Sequence, residues 1–448
     1  MFARTTPKPN RRSGLRTASK TLGTLLLLQL ALPVNLALTS AALARSIVVK
    51  SPRGTPDAAK TVLVSGGKMT KSLQLARSFH AAGHRVIMVE SSKYRLTGHR
   101  FSRSVDRFYT VPKPESPDYE QALLAIVRRE RVDVYVPVCS PAASYYDALA
   151  KPALSRYCEV LHCDADLISK LDNKYEFSVL AASLGLPVPD AHLITAPGQV
   201  EEFNFDDYDD PYILKSIPYD PVNRMDLTTL PRPTAERTGS FVRSKPISQA
   251  TPWIMQALVD GQEYCTHSTV RDGKVQVYCC CESSAFQINY EMVDKPEIEA
   301  WITQFVGPLK LTGQVSFDFI QTAEGRLYAI ECNPRTHSAI TMFYDHPELA
   351  RAYLENDVPV VKPLPGSRPT YWIYHEIWRL VSQPRDVADR LRVIFSGQDA
   401  IFDWADPLPF LMVHHVHIPW LLIRNLLASK DWVRIDFNIG KLVEPAGD

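Results

Sequence analysis

Two carboxylates and an amide, Asp318, Glu331 and Asn333, are spaced so that a hairpin would gather them on one face. Segments 314–322 and 327–332 both read as strands, with Glu324-Gly325 as a two-residue turn between them. That turn sets Asp318 opposite Glu331, roughly 5 Å away, where like charges repel unless something neutralises them. Asn333, two residues past Glu331, points to the same side. Oxygen donors with no His or Cys among them suit a hard cation such as Mg²⁺ rather than zinc. The simplest use of such a site is to hold nucleotide phosphates. A salt-bridged surface hairpin would use the same three residues.

Other residues have chemistry that would complement such a site. Lys174 opens a helix, where its charge opposes the helix dipole and a nearby anion would explain it. Lys215 lies inside an apolar strand, and a phosphate oxygen is a natural partner, although strand lysines also snorkel to water. The stretch 256–263 has the shape of a hinge between lobes. In it, Gln256 and the backbone around Ala257 and Leu258 offer groups for an adenine edge, and Glu263 an acceptor for ribose hydroxyls; an ordinary hairpin is the plain alternative. Arg335 follows in Glu331-Cys332-Asn333-Pro334-Arg335, its planar fork fitted to a phosphate or carboxylate, or to a nearby acid. Thr336, His337 and Ser338 come next in a polar loop.

The elements that must position these residues fall into two patterns. A strand at 61–65 leads through Gly66-Gly67 into a helix ending near Ala82, followed by a strand at 85–90, a helix at 119–130 and an apolar strand at 132–138. Alternation of this kind predicts an α/β layer with a parallel sheet. Its glycine turn has neither the GxGxxG spacing nor a P-loop. From Asp164 the pattern changes. Asp172-Asn173 can cap a helix that Gly185 ends, Lys215 sits in a strand at 212–216, and runs at 253–259, 263–270 and 274–281, with turns at Asp260-Gly261 and Asp272-Gly273, read as an antiparallel meander.

With 448 residues the chain has room for two or three domains, and a net charge of +1 gives no hint of a nucleic-acid partner. The eight cysteines form no CxxC pair, and Cys279-Cys280-Cys281 alternates along a strand, as expected in a reducing compartment. His414, His415 and His417 sit in an apolar stretch without a companion acid or Cys motif, which favours packing over metal binding. Arg4, Lys8, Arg11, Arg12, Arg16 and Lys20 precede a Leu-rich run at 22–43, similar to a secretory signal and close to the length that crosses a bilayer. Export would remove the chain from ATP, so a tether or peripheral attachment is the expectation. The apolar stretch 408–427, with Pro419 in it, reads as core or as a surface-lying helix.

In order along the chain, Lys174, Lys215, the 256–263 hinge, Asp318, Glu331, Asn333 and Arg335 resemble the ATP-grasp superfamily, over about residues 164–365. The resemblance implies an α/β pre-grasp domain (61–163), an α+β ATP-grasp domain with antiparallel sheets (164–365) and a C-terminal extension (366–448), after a leader and linker (1–60). It further implies ATP with Mg²⁺ (or Mn²⁺) as cofactors. Lys174, Lys215, Gln256, Ala257, Leu258 and Glu263 would hold the nucleotide, Asp318, Glu331 and Asn333 the metal, while Lys215 and Arg335 would serve catalysis. One departure stands out: 217–230 contains no glycine, where the family usually carries a glycine-rich flap, and Arg224, Ser240 or Arg243 are candidate substitutes. Within the superfamily the segment order is most similar to the mycosporine-glycine synthases, which join glycine to 4-deoxygadusol, implying those small molecules as substrates in the cytoplasm, with possible membrane attachment through the leader. A carboxylate-amine ligase working through an acyl phosphate, and a tethered nucleotide-binding module without catalysis, are the alternatives.

Overall fold

The computed structural model describes residues 11–49, 53–138, 140–217, 226–283 and 289–444. Arg224 lies outside them. The first layer is a five-stranded parallel sheet of β1 (Thr61–Val64), β2 (Arg85–Ser91), β3 (Arg107–Val111), β4 (Val134–Val136) and β5 (Glu159–Val160), in the order β3-β2-β1-β4-β5. Helices Thr70–Ala81, Tyr119–Glu130 and Pro141–Leu154 make the crossovers that parallel strands require. The turn after β1 needs its glycine: Gly66 has φ +67°, and a Cβ there would stand 2.1 Å from the Val138 carbonyl oxygen.

Two antiparallel sheets follow. The smaller one orders as β6-β9-β7-β8, from β6 (Ala191–Ile194), β7 (Tyr212–Ser216), β8 (Thr229–Leu230) and β9 (Trp253–Ala257). The larger consists of β10 (Gln262–Arg271) and β11 (Lys274–Glu282), then, after the short β12 (Asn289–Tyr290), β13 (Gly313–Gln321) and β14 (Leu327–Asn333), in the order β11-β10-β13-β14. Val315, Phe317 and Phe319 of β13 pack against Trp301 and Phe305 of the helix Pro296–Val306, which leaves Ser316 and Asp318 on the opposite side.

The C-terminal residues share a core with the first sheet. That cluster joins Leu28 of the long helix Arg11–Val48 to Val62 and Val64 of β1, to Trp372, and to Phe410, Ile418 and Trp432. Asp406 ties the two ends together by accepting from Arg77 Nε at 2.9 Å, Ser102 Oγ at 2.6 Å and the Arg103 backbone N–H at 2.9 Å. The stretch 408–427 is helical on either side of a π turn at Val413–His417; one side joins the core through Phe410, Val413, Ile418, Leu421 and Leu422, while Ile423 and Leu427 lie at the surface. The three histidines face separate surroundings: His414 stacks on Tyr374, His415 meets Asn35, and His417 lies edge-on to Tyr94.

Candidate functional site

The hairpin of β13 and β14 pairs Asp318 with Glu331, the pairing read from the sequence, but by a different construction. The loop has three residues rather than two: the Thr322 N–H donates to the Arg326 carbonyl at 2.9 Å, with Gly325 at φ +82°. Phe319 consequently pairs with Ala329, and the register shifts by one at the next pair, leaving Ile330 as a bulge. Without the bulge, Ile330 would face Asp318 and Glu331 would turn toward the core.

Asn333 closes the triangle. Its Nδ2 donates to Glu331 Oε1 at 3.1 Å and reaches Asp318 Oδ2 at 3.4 Å, while its Oδ1 accepts from the Arg335 guanidinium. Arg335 also pairs with Asp172 Oδ1 at 3.1 Å, the nearby-acid alternative weighed for it above. For Asn333 to offer oxygen to a cation, its amide would have to turn over.

The two lysines arrive from separate elements. Asn173 caps the helix Lys174–Ser183, its Oδ1 accepting from the N–H groups of Tyr175 at 3.0 Å and Glu176 at 3.2 Å. This places Lys174 at the first helical position, with Nζ 3.4 Å from Glu331 Oε2. Lys215, on β7, donates from Nζ to Gln256 Oε1 at 3.0 Å. Gln256 is buried, and its Nε2 has no hydrogen-bond partner among the described residues. Such an orphaned donor is costly unless a ligand accepts from it. The backbone N–H groups of Ala257 and Leu258 already donate to the Asp190 and Pro211 carbonyls, at 2.8 and 2.7 Å. What those two residues can still present to an adenine edge is carbonyl oxygen.

Electrostatics join these groups into one cluster. Burial first, then Glu331 and Glu263, push the Asp318 carboxyl up to about 8. Burial also pushes Glu331 upward, but Lys174, Lys215 and Arg335 together outweigh it and hold that carboxyl below its ordinary value. Burial lowers Lys215, against the opposing pull of Glu331. Glu263 acts on both Lys215 and Asp318, and its Oε1 lies 3.5 Å from Ser283 Oγ. Of the candidate flap substitutes, Arg243 is engaged by Glu201 at 2.7 Å, and Ser240 sits on the helix Ala235–Arg243.

Among the described residues, no group of three or more His, Cys, Asp or Glu is placed to hold a metal. The donors facing this space are the two carboxylates, joined by the Asn333 oxygen only once its amide turns away from Arg335. They fit a divalent cation on one observation: two facing carboxylates, one forced toward its neutral form, are what a +2 charge would relieve.

Sequence reasoning missed the floor of this face. Cys265 on β10 is the cross-strand neighbour of Asp318 on the side away from Glu331. Beyond it lie the buried His267 and the half-buried His337 of the polar loop noted in the sequence, both lowered by desolvation, with the Lys71 ammonium donating to the Thr336 carbonyl. The alternation of Glu263, Cys265 and His267 along β10 was the available signal.

No protein-family model and no curated protein sequence matches this chain. Among solved structures, the ADP complex of N5-carboxyaminoimidazole ribonucleotide synthetase is similar with a TM-score of 0.55 and 16% identity, over 72% of this chain and 85% of that one. The N5-carboxyaminoimidazole synthetase of Staphylococcus aureus complexed with ADP gives a TM-score of 0.52 and 14% identity, over 72% and 82%. The parallel layer, the two antiparallel sheets and this likeness together give the chain the ATP-grasp fold.

Proposed function

We propose that the chain is an ATP-dependent ligase that forms a C–N bond and releases ADP and phosphate. The observation that carries this reading is the convergence of Lys174, Lys215 and Arg335 on the facing pair Asp318 and Glu331, beside a buried Gln256 Nε2 that lacks a partner. Lys174 and Lys215 bind phosphates, Gln256 and the carbonyl side of Ala257 and Leu258 hold the adenine, and Glu263 accepts from the ribose. Asp318, Glu331 and Asn333 hold Mg²⁺ or Mn²⁺, which when bound neutralises charge among the phosphates. Lys215 and Arg335 stabilise charge on the transferring group, and the partly desolvated setting of Lys215 strengthens that interaction.

For the acceptor we propose 4-deoxygadusol and for the amine glycine, on the order of segments along the chain. The γ-phosphoryl passes to the enolic oxygen of the cyclohexenone as the bond to ADP breaks. The glycine nitrogen then adds at that carbon, loses its proton, and expels phosphate. The second reading, a carboxylate-amine ligase working through an acyl phosphate, draws on the likeness to N5-carboxyaminoimidazole ribonucleotide synthetase and demands the same phosphoryl transfer. Use of ATP sets the reaction in the cytoplasm.

Incubation of the full chain with Mg-ATP and a panel of amino acids, with and without 4-deoxygadusol, tests both. An ultraviolet-absorbing glycine adduct with stoichiometric ADP supports the first acceptor, and ADP release with amide formation from a carboxylate supports the second. Nucleotide binding without turnover of any pair would refute the ligase.

A further inference from the structure

The long helix Arg11–Val48 is inside out with respect to water. Of its described side chains, Thr21, Leu28, Asn35, Thr39 and Ala42 are the buried ones, and three of those five are polar. Leu22, Leu26, Leu27, Leu30, Val34 and Ile47 face outward, each more than half exposed. The polar contacts fix this rotation. Thr21 Oγ1 accepts from Trp432 Nε1 at 2.9 Å, and Asn35 Nδ2 donates to the Tyr374 hydroxyl at 2.6 Å. Lys20 Nζ donates to the carbonyls of Trp432 and Val433 at 3.1 and 2.6 Å. A helix that turns Thr21, Asn35 and Thr39 to the protein and sends six leucines outward, keeping Leu25, Leu28 and Leu38 on the core, is built for partly apolar surroundings.

Two further observations identify those surroundings. The first 56 residues carry nine Lys or Arg and no Asp or Glu, a charge that draws the segment to an anionic surface and repels a second copy of itself. Adjacent elements continue the apolar face: Leu427 of the helix Ile418–Leu427 is 80% exposed, and Trp378 projects from the helix Ile373–Ser382, whose Tyr374 meets Asn35.

The helix has the length and composition to cross a bilayer, yet it is attached to the body of the protein near both ends. Thr17 donates to Asp431 Oδ1 at one end, and the Arg45 guanidinium stands 5.4 Å from the Trp404 ring centroid at the other. We propose that this face is a membrane-docking surface, with the helix lying in the plane of an anionic bilayer and not threading it. The proposal is independent of the ligase reading.

The test uses the full chain and two kinds of vesicle, phosphatidylcholine alone and phosphatidylcholine mixed with phosphatidylglycerol. Flotation with the anionic vesicles is expected, and the double variant Leu26→Glu, Leu30→Glu should lose about tenfold or more in partitioning while keeping its circular dichroism and thermal midpoint. Spin labels placed singly on Leu22→Cys, Leu30→Cys and Ile47→Cys should report similar shallow depths. A deep maximum at position 30 with shallow values at 22 and 47 would show a spanning helix and overturn the proposal. So would failure to float with anionic vesicles, or a lipid-free dimer that the double Glu variant converts to monomer.

Discussion

Ile330 stands out of the ladder between Ala329 and Glu331, and that displacement sets the Glu331 carboxylate opposite Asp318. Asp318→Ala and Glu331→Ala should each lower ADP formation by roughly 100-fold or more while leaving the fold intact, since each removes a group placed for charge developing among the phosphates. ADP release measured with saturating Mg-ATP checks this, and an unchanged rate in either variant would refute the metal assignment.

Stability should fall with rising pH because of Asp318. Its carboxyl titrates near 4 when unfolded and is held up to about 8 when folded. Between those values the folded chain keeps a proton that the unfolded chain releases, so this group's favourable contribution is complete below about pH 4 and is lost as pH climbs toward 8. Urea midpoints at pH 5 and pH 8.5, taken without divalent cations, should therefore drop more for the native chain than for Asp318→Asn. Added Mg²⁺ should shrink the difference between the two.

Gln256→Leu removes both the orphaned donor and the acceptor for Lys215. The expected result is about tenfold weaker ATP binding by calorimetry, equivalent to the roughly 1–2 kcal/mol of one buried hydrogen bond. The thermal midpoint should fall modestly, because the Lys215 ammonium loses its acceptor, whereas loss of the orphaned amide N–H costs the fold nothing. Equal affinity in the variant would move the adenine elsewhere.

Asp406→Ala should cost about 3 kcal/mol of unfolding free energy, because it takes the carboxylate from the half-buried Arg77 guanidinium, which keeps only the Ile401 and 406 backbone carbonyls, and leaves the Ser102 hydroxyl and Arg103 N–H without their acceptor. Denaturant unfolding is the measurement. A loss under 1 kcal/mol would mean that the C-terminal segment is held mainly by its apolar contacts.

Much of this architecture is written in local patterns. The helix Tyr119–Glu130 appears at the limits its periodicity implies, and Asn173 caps the helix of Lys174 as its side-chain chemistry suggests. The facing pair was legible, yet the bulge behind it was not read, although core positions Ala329 and Cys332 are three apart where a regular strand would have two. Contacts across the chain were hidden for a different reason. Nothing near Asp406 in sequence reveals Arg77, and nothing near Asp318 reveals Cys265, because those meetings are set by how distant layers stack.

The docking of the first helix on Trp432 and Asp431 also sets a timetable for synthesis. A ribosome adding roughly 5–20 residues per second needs about 20–80 s after making the helix before its anchoring partners exist. Throughout that interval the polar side of the helix has no seat, while its outward leucines gain no cover from docking at any stage, so a chaperone or a lipid surface met while the chain is still growing is what can cover them.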